Sequence, residues 1–236
     1  ESTEFLNYIT DELKLITDGK ANKLDLPKKL FDKVLDEYNS NKIYQDVINQ
    51  MKEYIENNIG VDNFKYISGG ERRDWFFSNI IANKLNKPHI TIYKDLSMVI
   101  TDSEFETTID LSEVKNTKVL HIADLITEAS SYIRAWIPAI ENLGAKICWS
   151  TVVVDRMQGG KEKLEASNVK SFSMINIDET LFEKALNMKI INLTQYEMLK
   201  SFYENPDKTM RTFLINHPEF LENALKSDEK TASRAK

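Results

Sequence analysis

The segment Val119 to Tyr132, VLHIADLITEASSY, holds the residue types with the most direct chemical use in this chain. An apolar run ends at Asp124, and three hydroxyl side chains, Thr127, Ser130 and Ser131, then open a helical pattern. Amides at a helix N-terminus have no partner within the helix and carry partial positive charge, so such a turn can cradle a phosphate. The carboxylate just ahead of it suits sugar hydroxyls or a metal. The segment contains no glycine, and the residue before Asp124 is Ala123 rather than a second acid.

Two further loops carry chemistry of the same kind. The chain has seven glycines, and four of them form two pairs, Gly69-Gly70 and Gly159-Gly160, each after a strand pattern. Glycine is needed where the backbone takes positive φ or closely approaches another group. In the first loop, SGGERRDWFFS (68–78), Arg72 and Arg73 beside the glycines form an anion site, because guanidinium forks match phosphate oxygens. The same residues also read as a solvated charge run. In the second, VVVDRMQGG (152–160), Arg156 stands at a strand end, able to read a carboxylate or carbonyl of a flat substrate. The plainer reading is that Asp155 and Arg156 pair and close a turn.

The elements that must carry these loops follow from periodicity. Residues 1–60 are helical in pattern, with Phe5, Tyr8, Ile9, Leu13 and Ile16 on one face and Ile43, Val47, Ile48, Met51, Tyr54 and Ile55 on another. Pro27 suits a first helical turn, and Gly60 a left-handed helix end. From 61 to 177, the strand patterns FKYI, HITIY, KVLHIA, KICWSTVVV and FSMINI alternate with helical stretches at 75–86, 130–143 and 161–167. That order predicts an α/β fold with a mostly parallel sheet and helices on both faces. Ligands of such sheets bind beyond the carboxyl ends of the strands, where all three loops lie. Residues 95–117 break the alternation and predict a hairpin or a flexible excursion. Residues 178–226 are helical again, and 227–236 read as a disordered tail.

Composition narrows the partners. A net charge of −6 argues against broad nucleic-acid binding. No apolar stretch approaches the roughly 20 residues of a membrane span, and no signal peptide opens the chain. The single cysteine, Cys148, excludes an internal disulfide and reads as a structural thiol in a cytoplasmic protein. His89, His121 and His217 show no metal-ligand spacing, and His121 reads as a core histidine. Trp75, Phe76, Phe77 and Trp136 read as core, with Phe77 a candidate for lining a pocket.

The order SGGERRDWFFS, IYKD, VLHIADLITEASSY, VVVDRMQGG resembles the orotate phosphoribosyltransferase family of the type I phosphoribosyltransferases, over residues 64–177. The resemblance implies a type I phosphoribosyltransferase-like fold with residues 1–60 as its hood. It implies transfer of ribose 5-phosphate from phosphoribosyl pyrophosphate (PRPP) to a pyrimidine base such as orotate, releasing pyrophosphate with Mg²⁺, in a homodimer. By position, Asp124 would hold the ribose hydroxyls, with Mg²⁺ carried mainly by PRPP nearby. Thr127, Glu128, Ala129, Ser130 and Ser131 would cradle the 5′-phosphate. Ser68, Gly69, Gly70, Arg72 and Arg73 would face the pyrophosphate, Lys94 would reach its oxygens, and Arg156 would bind the base. Glu71 and Asp74 would orient the arginines or help hold metal. Three departures stand out: Ala123 replaces an acid, Glu128 adds negative charge to the phosphate turn, and 95–117 has no basic residue before Lys115. They admit a second reading, a non-catalytic relative that binds a phosphorylated ribose or nucleotide as a sensor or regulatory subunit.

Overall fold

The computed structural model describes residues 2–227 together with residue 233. The expected tail at 228–232 and 234–236 therefore lies outside the described residues. Two compact units divide the chain, Glu1–Asn176 and Ile177–Lys236.

In the first unit three helices come first: α1 (Ser2–Thr17), α2 (Leu26–Ser40, with Pro27 in its first turn) and α3 (Lys42–Asn58). Each presents one apolar stripe, and Ile9, Leu30, Val34, Ile48, Met51 and Ile55 are fully buried in one cluster with Trp75, Ile80 and Ile81 of the next helix. Gly60 follows α3 with φ +82, and its amide donates to the Ile55 carbonyl. The hood and the α/β core thus share one hydrophobic cluster and belong to one unit.

The sheet has seven strands in the order β4-β3-β2-β1-β5-β6-β7. They are β1 (Tyr66–Gly70), β2 (His89–Ile92), β3 (Met98–Thr101), β4 (Thr108–Ile109), β5 (Lys118–Ile126), β6 (Lys146–Asp155) and β7 (Lys170–Asn176). β1, β2, β5, β6 and β7 run parallel, and β2-β3-β4 form an antiparallel edge. The polar stretch 95–117 is therefore mostly a hairpin. Between the parallel strands lie α4 (Asp74–Lys84), α5 (Ile137–Asn142) and α6 (Gly160–Ala166). A second cluster, with Tyr66, Ile90, Val119, Ile140, Val152 and Leu164, fills the other face of the sheet. Burial on both faces is why these strands read as continuous apolar runs rather than alternating ones.

The second unit holds α7 (Glu179–Asn187), α8 (Leu193–Glu204), α9 (Pro206–Asn216) and α10 (Pro218–Leu225). Its caps are written in the sequence. Asp178 accepts from Leu181 N, Asn192 and Gln195 form a reciprocal capping box, and Asn205 accepts from Lys208 N.

Candidate active site

β1 ends at Gly70, and after three intervening residues α4 begins at Asp74, a favourable place for an acid at the positive end of a helix. The Asp74 Oδ2 accepts from Gly70 N at 3.0 Å, folding the intervening turn back on itself. Glu71 N donates to Ile92 O at 2.9 Å, and the Glu71 carboxylate accepts from Lys94 N at 2.9 Å, which draws the turn after β2 alongside. Arg72 Nη1 donates to Thr10 Oγ1 of α1 at 2.6 Å, and Arg73 Nη1 stands 4.0 Å from Asp124 Oδ2.

The glycine pair in this loop serves packing rather than ligand approach, which corrects the expectation for Ser68, Gly69 and Gly70. A Cβ on Gly69 would lie 2.1 Å from Ser78 Oγ, and one on Gly70 would lie 2.3 Å from the Trp136 ring. Ser68 is fully buried and bonded to His121 Nδ1 at 2.9 Å, so it faces the core. The anion-facing residues of the loop are Arg72 and Arg73.

β5 continues two residues past the expected stop at Asp124, to Ile126. Asp124 sits mostly enclosed at the strand's upper edge, with Oδ1 accepting from Leu125 N at 2.7 Å. Burial pushes its carboxyl above the ordinary aspartate range, and the nearby Asp74 charge adds to that; the Leu125 amide and Arg73 oppose it. Thr127 and Glu128 form the turn, and Ala129, buried with φ +55, takes the left-handed conformation that glycine would adopt without strain. Helical geometry starts at Ser130. It widens to a π turn over Tyr132–Trp136, where Ile137 N donates to Tyr132 O. Pro138 follows, and with no N–H it cannot continue an ordinary α ladder. Glu128, the acid expected to disturb phosphate binding, pairs with Lys163 of α6 at 3.1 Å, so part of its charge is balanced from outside the turn.

These two loops enclose an open cleft of about 640 Å³, roofed by Leu6 of α1. Arg72, Arg73, Asp74, Ala123 and Asp124 line it, with the whole turn Thr127–Ser131 and the rings of Tyr132 and Trp136. A neighbouring cleft of about 600 Å³ shares Glu71, Arg72, Ser131 and Trp136 and adds Thr10, Leu13, Lys94 and Arg134. The structure thus brings together Arg72, Arg73, Asp124, Thr127, Glu128, Ala129, Ser130 and Ser131, with Lys94 next door. Sequence reasoning missed Trp136 and Arg134 as lining residues. Their spacing from Ser130 along a helix, six and four residues, was the available signal, but the π turn shifts which residues share a face.

The loop after β6 does not join them. Asp155 is buried, and its Oδ1 accepts from Met157 N at 2.7 Å, closing a turn as the plainer reading proposed, though without pairing to Arg156. Arg156 is exposed, its amide donates to Ile126 O at 3.0 Å, and its side chain lines neither cleft. Gly159 has φ +86, and Gly160 lies so close to β5 that a Cβ would meet Ile126 and Thr127 O at 2.6 and 2.7 Å. This loop therefore buttresses the Thr127 turn from behind. Phe77 packs in the hood cluster against Tyr44 and Phe76 and lines neither cleft. Cys148 is half-buried in β6, where burial raises its thiol. His121 is fully buried, as a core histidine should be.

No protein-family model matches the chain. An orotate phosphoribosyltransferase of Sulfurisphaera tokodaii is 28% identical over 161 residues, 68% of this chain and 77% of that protein. An orotate phosphoribosyltransferase of Sulfolobus acidocaldarius is 30% identical over 119 residues, 50% of this chain and 57% of that one. The crystal structure of an orotate phosphoribosyltransferase from Francisella tularensis superposes with a TM-score of 0.54 at 15% identity, covering 71% of this chain and 81% of that one. The chain has the type I phosphoribosyltransferase fold and is similar in sequence to orotate phosphoribosyltransferases. Within this fold the phosphoribosyltransferase-like unit has its cleft where the strand order turns back, above β1 and β5, the expected place for a ligand in an open α/β sheet. An adenine phosphoribosyltransferase of Campylobacter hominis is also related, 29% identical over 146 residues, 56% of this chain and 79% of that protein. The relationship therefore spans enzymes named for different bases.

Proposed function

We propose that the chain transfers the 5-phosphoribosyl group from PRPP to a ring nitrogen of a base, a pyrimidine such as orotate being the first candidate. The observation that carries this reading is the shared cleft. It sets a carboxylate, Asp124, between a hydroxyl-rich helix start (Thr127–Ser131) and an arginine loop (Arg72, Arg73). A phosphorylated ribose bearing a diphosphate has its three functional parts in that order. The Thr127–Ser131 amides and hydroxyls hold the 5′-phosphate, Asp124 accepts from the ribose hydroxyls, and Arg72, Arg73 and Lys94 hold the diphosphate. As the C1′–O bond breaks, its electron pair leaves with pyrophosphate, and the base nitrogen bonds to C1′ while its N–H proton passes to solvent. Fixed cations at the leaving group and a carboxylate beside the ribose favour that charge separation.

Mg²⁺ fits these residues in a limited way. Among the described residues no group of three or more His, Cys, Asp and Glu side chains converges on one point. Asp124 and Asp74 are two carboxylates in one cleft, and Mg²⁺ commonly binds one or two carboxylates together with substrate phosphates. When bound, it would neutralise diphosphate charge. The homodimer and a cytoplasmic location belong to the same reading; no described helix is long and apolar enough to cross a membrane.

One observation favours the second reading, a non-catalytic binder of phosphorylated ribose. The 95–117 segment folds largely as the acidic β3-β4 edge and offers no basic side chain before Lys115 to close over the cleft. The two readings separate when the purified chain is given PRPP, Mg²⁺ and a panel of pyrimidine and purine bases. Pyrophosphate release with at least one base is expected. Binding of PRPP without turnover on any base would replace the transferase with the sensor.

A further inference from the structure

Behind the cleft, β1, β5 and β6 bury a row of polar side chains at facing register positions: Ser68 opposite His121, and His121 opposite Ser150. All three are fully buried. Ser150 is bonded to the Tyr132 hydroxyl at 2.7 Å, and Ser68 to His121 Nδ1 at 2.9 Å. The other ring nitrogen, His121 Nε2, has no hydrogen-bond partner among the described residues. Asp74 Oδ2 lies 3.4 Å from it. The rings of Tyr132 and Trp136 shield the imidazole from water, with centroids 4.7 and 6.4 Å away.

A buried polar nitrogen without a partner is costly, so its placement calls for a reason outside packing. Asp74 supplies one. With Ser68 donating to Nδ1, the ring N–H lies on Nε2, the nitrogen that has the Asp74 carboxylate 3.4 Å away. Asp74 Oδ2 is held from one side by Gly70 N and faced by His121 from another. Its Oδ1 makes no hydrogen bond to the described residues, and Asp74 lines the main cleft beside Asp124.

We propose that Asp74 is a second ribose-binding carboxylate, held in place by His121 and Gly70, and that it works with Asp124 on the two neighbouring ribose hydroxyls. From the start of α4 it does what Ala123, the residue before Asp124, cannot do from β5. Two carboxylates in one water-poor corner repel each other until donors come between them, and a vicinal diol brings one donor for each. Burial raises both the Asp124 carboxyl and the Tyr132 hydroxyl, and the Asp74 charge adds to each, as expected for groups in one corner.

The inference rests on the cleft holding a phosphorylated ribose. It is tested by calorimetric titration of the full chain with ribose 5-phosphate, its 2-deoxy and 3-deoxy analogues, and inorganic phosphate, all without metal. Asp74→Asn keeps an acceptor for Gly70 N, and it is expected to weaken ribose 5-phosphate binding about tenfold. The same variant should lose the wild type's preference over one deoxy analogue and leave inorganic phosphate binding unchanged. His121→Gln should show the same pattern more weakly, a selectivity change that mere loosening of the core would not give. Asp74→Glu, which keeps the charge but moves it, should lose the same preference and covers the case of an unstable asparagine variant. Wild-type affinity and wild-type preference in Asp74→Asn, with both lost in Asp124→Asn, would overturn this inference and leave the proposed function standing. A wild type that does not bind ribose 5-phosphate at all would overturn both.

Discussion

The ends of β5 and β6 look alike in sequence, an apolar strand, then an aspartate, then a polar turn into a helix, yet they have different jobs. Asp124 keeps Oδ2 open to the cleft and 4.0 Å from Arg73, while Oδ1 is used by the neighbouring amide. Asp155 is buried, and its turn consumes it through Met157 N. The turn after β5 opens onto the arginine loop, whereas the turn after β6 leans on β5 through Gly160 and leaves Arg156 outside both clefts. Each acid gives one oxygen to its own turn, so what makes an acid at a parallel strand end available to a ligand is that its other oxygen faces the cleft rather than the interior.

That contrast can be broken at several points. The largest difference is expected between the two acids: Asp124→Asn should weaken PRPP binding about a hundredfold, the loss of two charge-assisted hydrogen bonds. Asp155→Asn should change it less than about twofold, because its amide oxygen can still accept from Met157; comparable losses would mean both strand ends touch the ligand. Next come the arginines. Arg73→Gln should cost about tenfold in PRPP affinity, whereas Arg156→Gln should cost nothing. An equal loss at Arg156 would place its loop over the cleft when ligand is bound.

The glycines of the β6 turn should separate on denaturant unfolding. Gly160→Ala forces a methyl against Ile126 and Thr127 and should destabilise by about 1–3 kcal/mol. Gly159→Ala has open space but positive φ and should cost about 1 kcal/mol. The reverse order would remove the buttress from the account. The smallest effect concerns pH. Burial raises the folded-state carboxyls of both Asp124 and Asp155 above the usual value of 3.8. A raised acid contributes stability that is present below 3.8 and is lost as pH rises through the folded value. Asparagine at either position removes that loss, so the melting temperature of each variant should fall less than wild type from about pH 4 to 7. Parallel wild-type and variant curves would contradict the burial assigned to these groups.

Much of the fold was legible because its signals are local. Strands buried on both faces leave apolar runs, and the helices leave a 3.6-residue stripe with Asp or Asn caps such as Asp178 and Asn192. The site was legible where chemistry and chain order coincide, as at Asp124 and Thr127–Ser131. It was misread where a residue's role depends on what another element packs against it. Gly69 and Gly70 look like a ligand-facing pair, but the groups that approach them are Ser78 and Trp136, nine and sixty-six residues further along the chain. Arg156 stands where a base-reading arginine is expected, and only the three-dimensional course of its turn shows it outside the cleft. Trp136 entered the site through a π turn that no periodicity announces.

The central claim is that one cleft, walled by the loops after β1 and β5, holds the phosphorylated ribose. Amide chemical-shift mapping of the isotope-labelled chain titrated with PRPP and Mg²⁺ tests it most directly. The account predicts shifts at Arg72, Arg73 and Thr127–Ser131 that saturate together, and none of comparable size at Arg156–Gln158. Saturating shifts at Arg156–Gln158 with silent Thr127–Ser131 amides would contradict it.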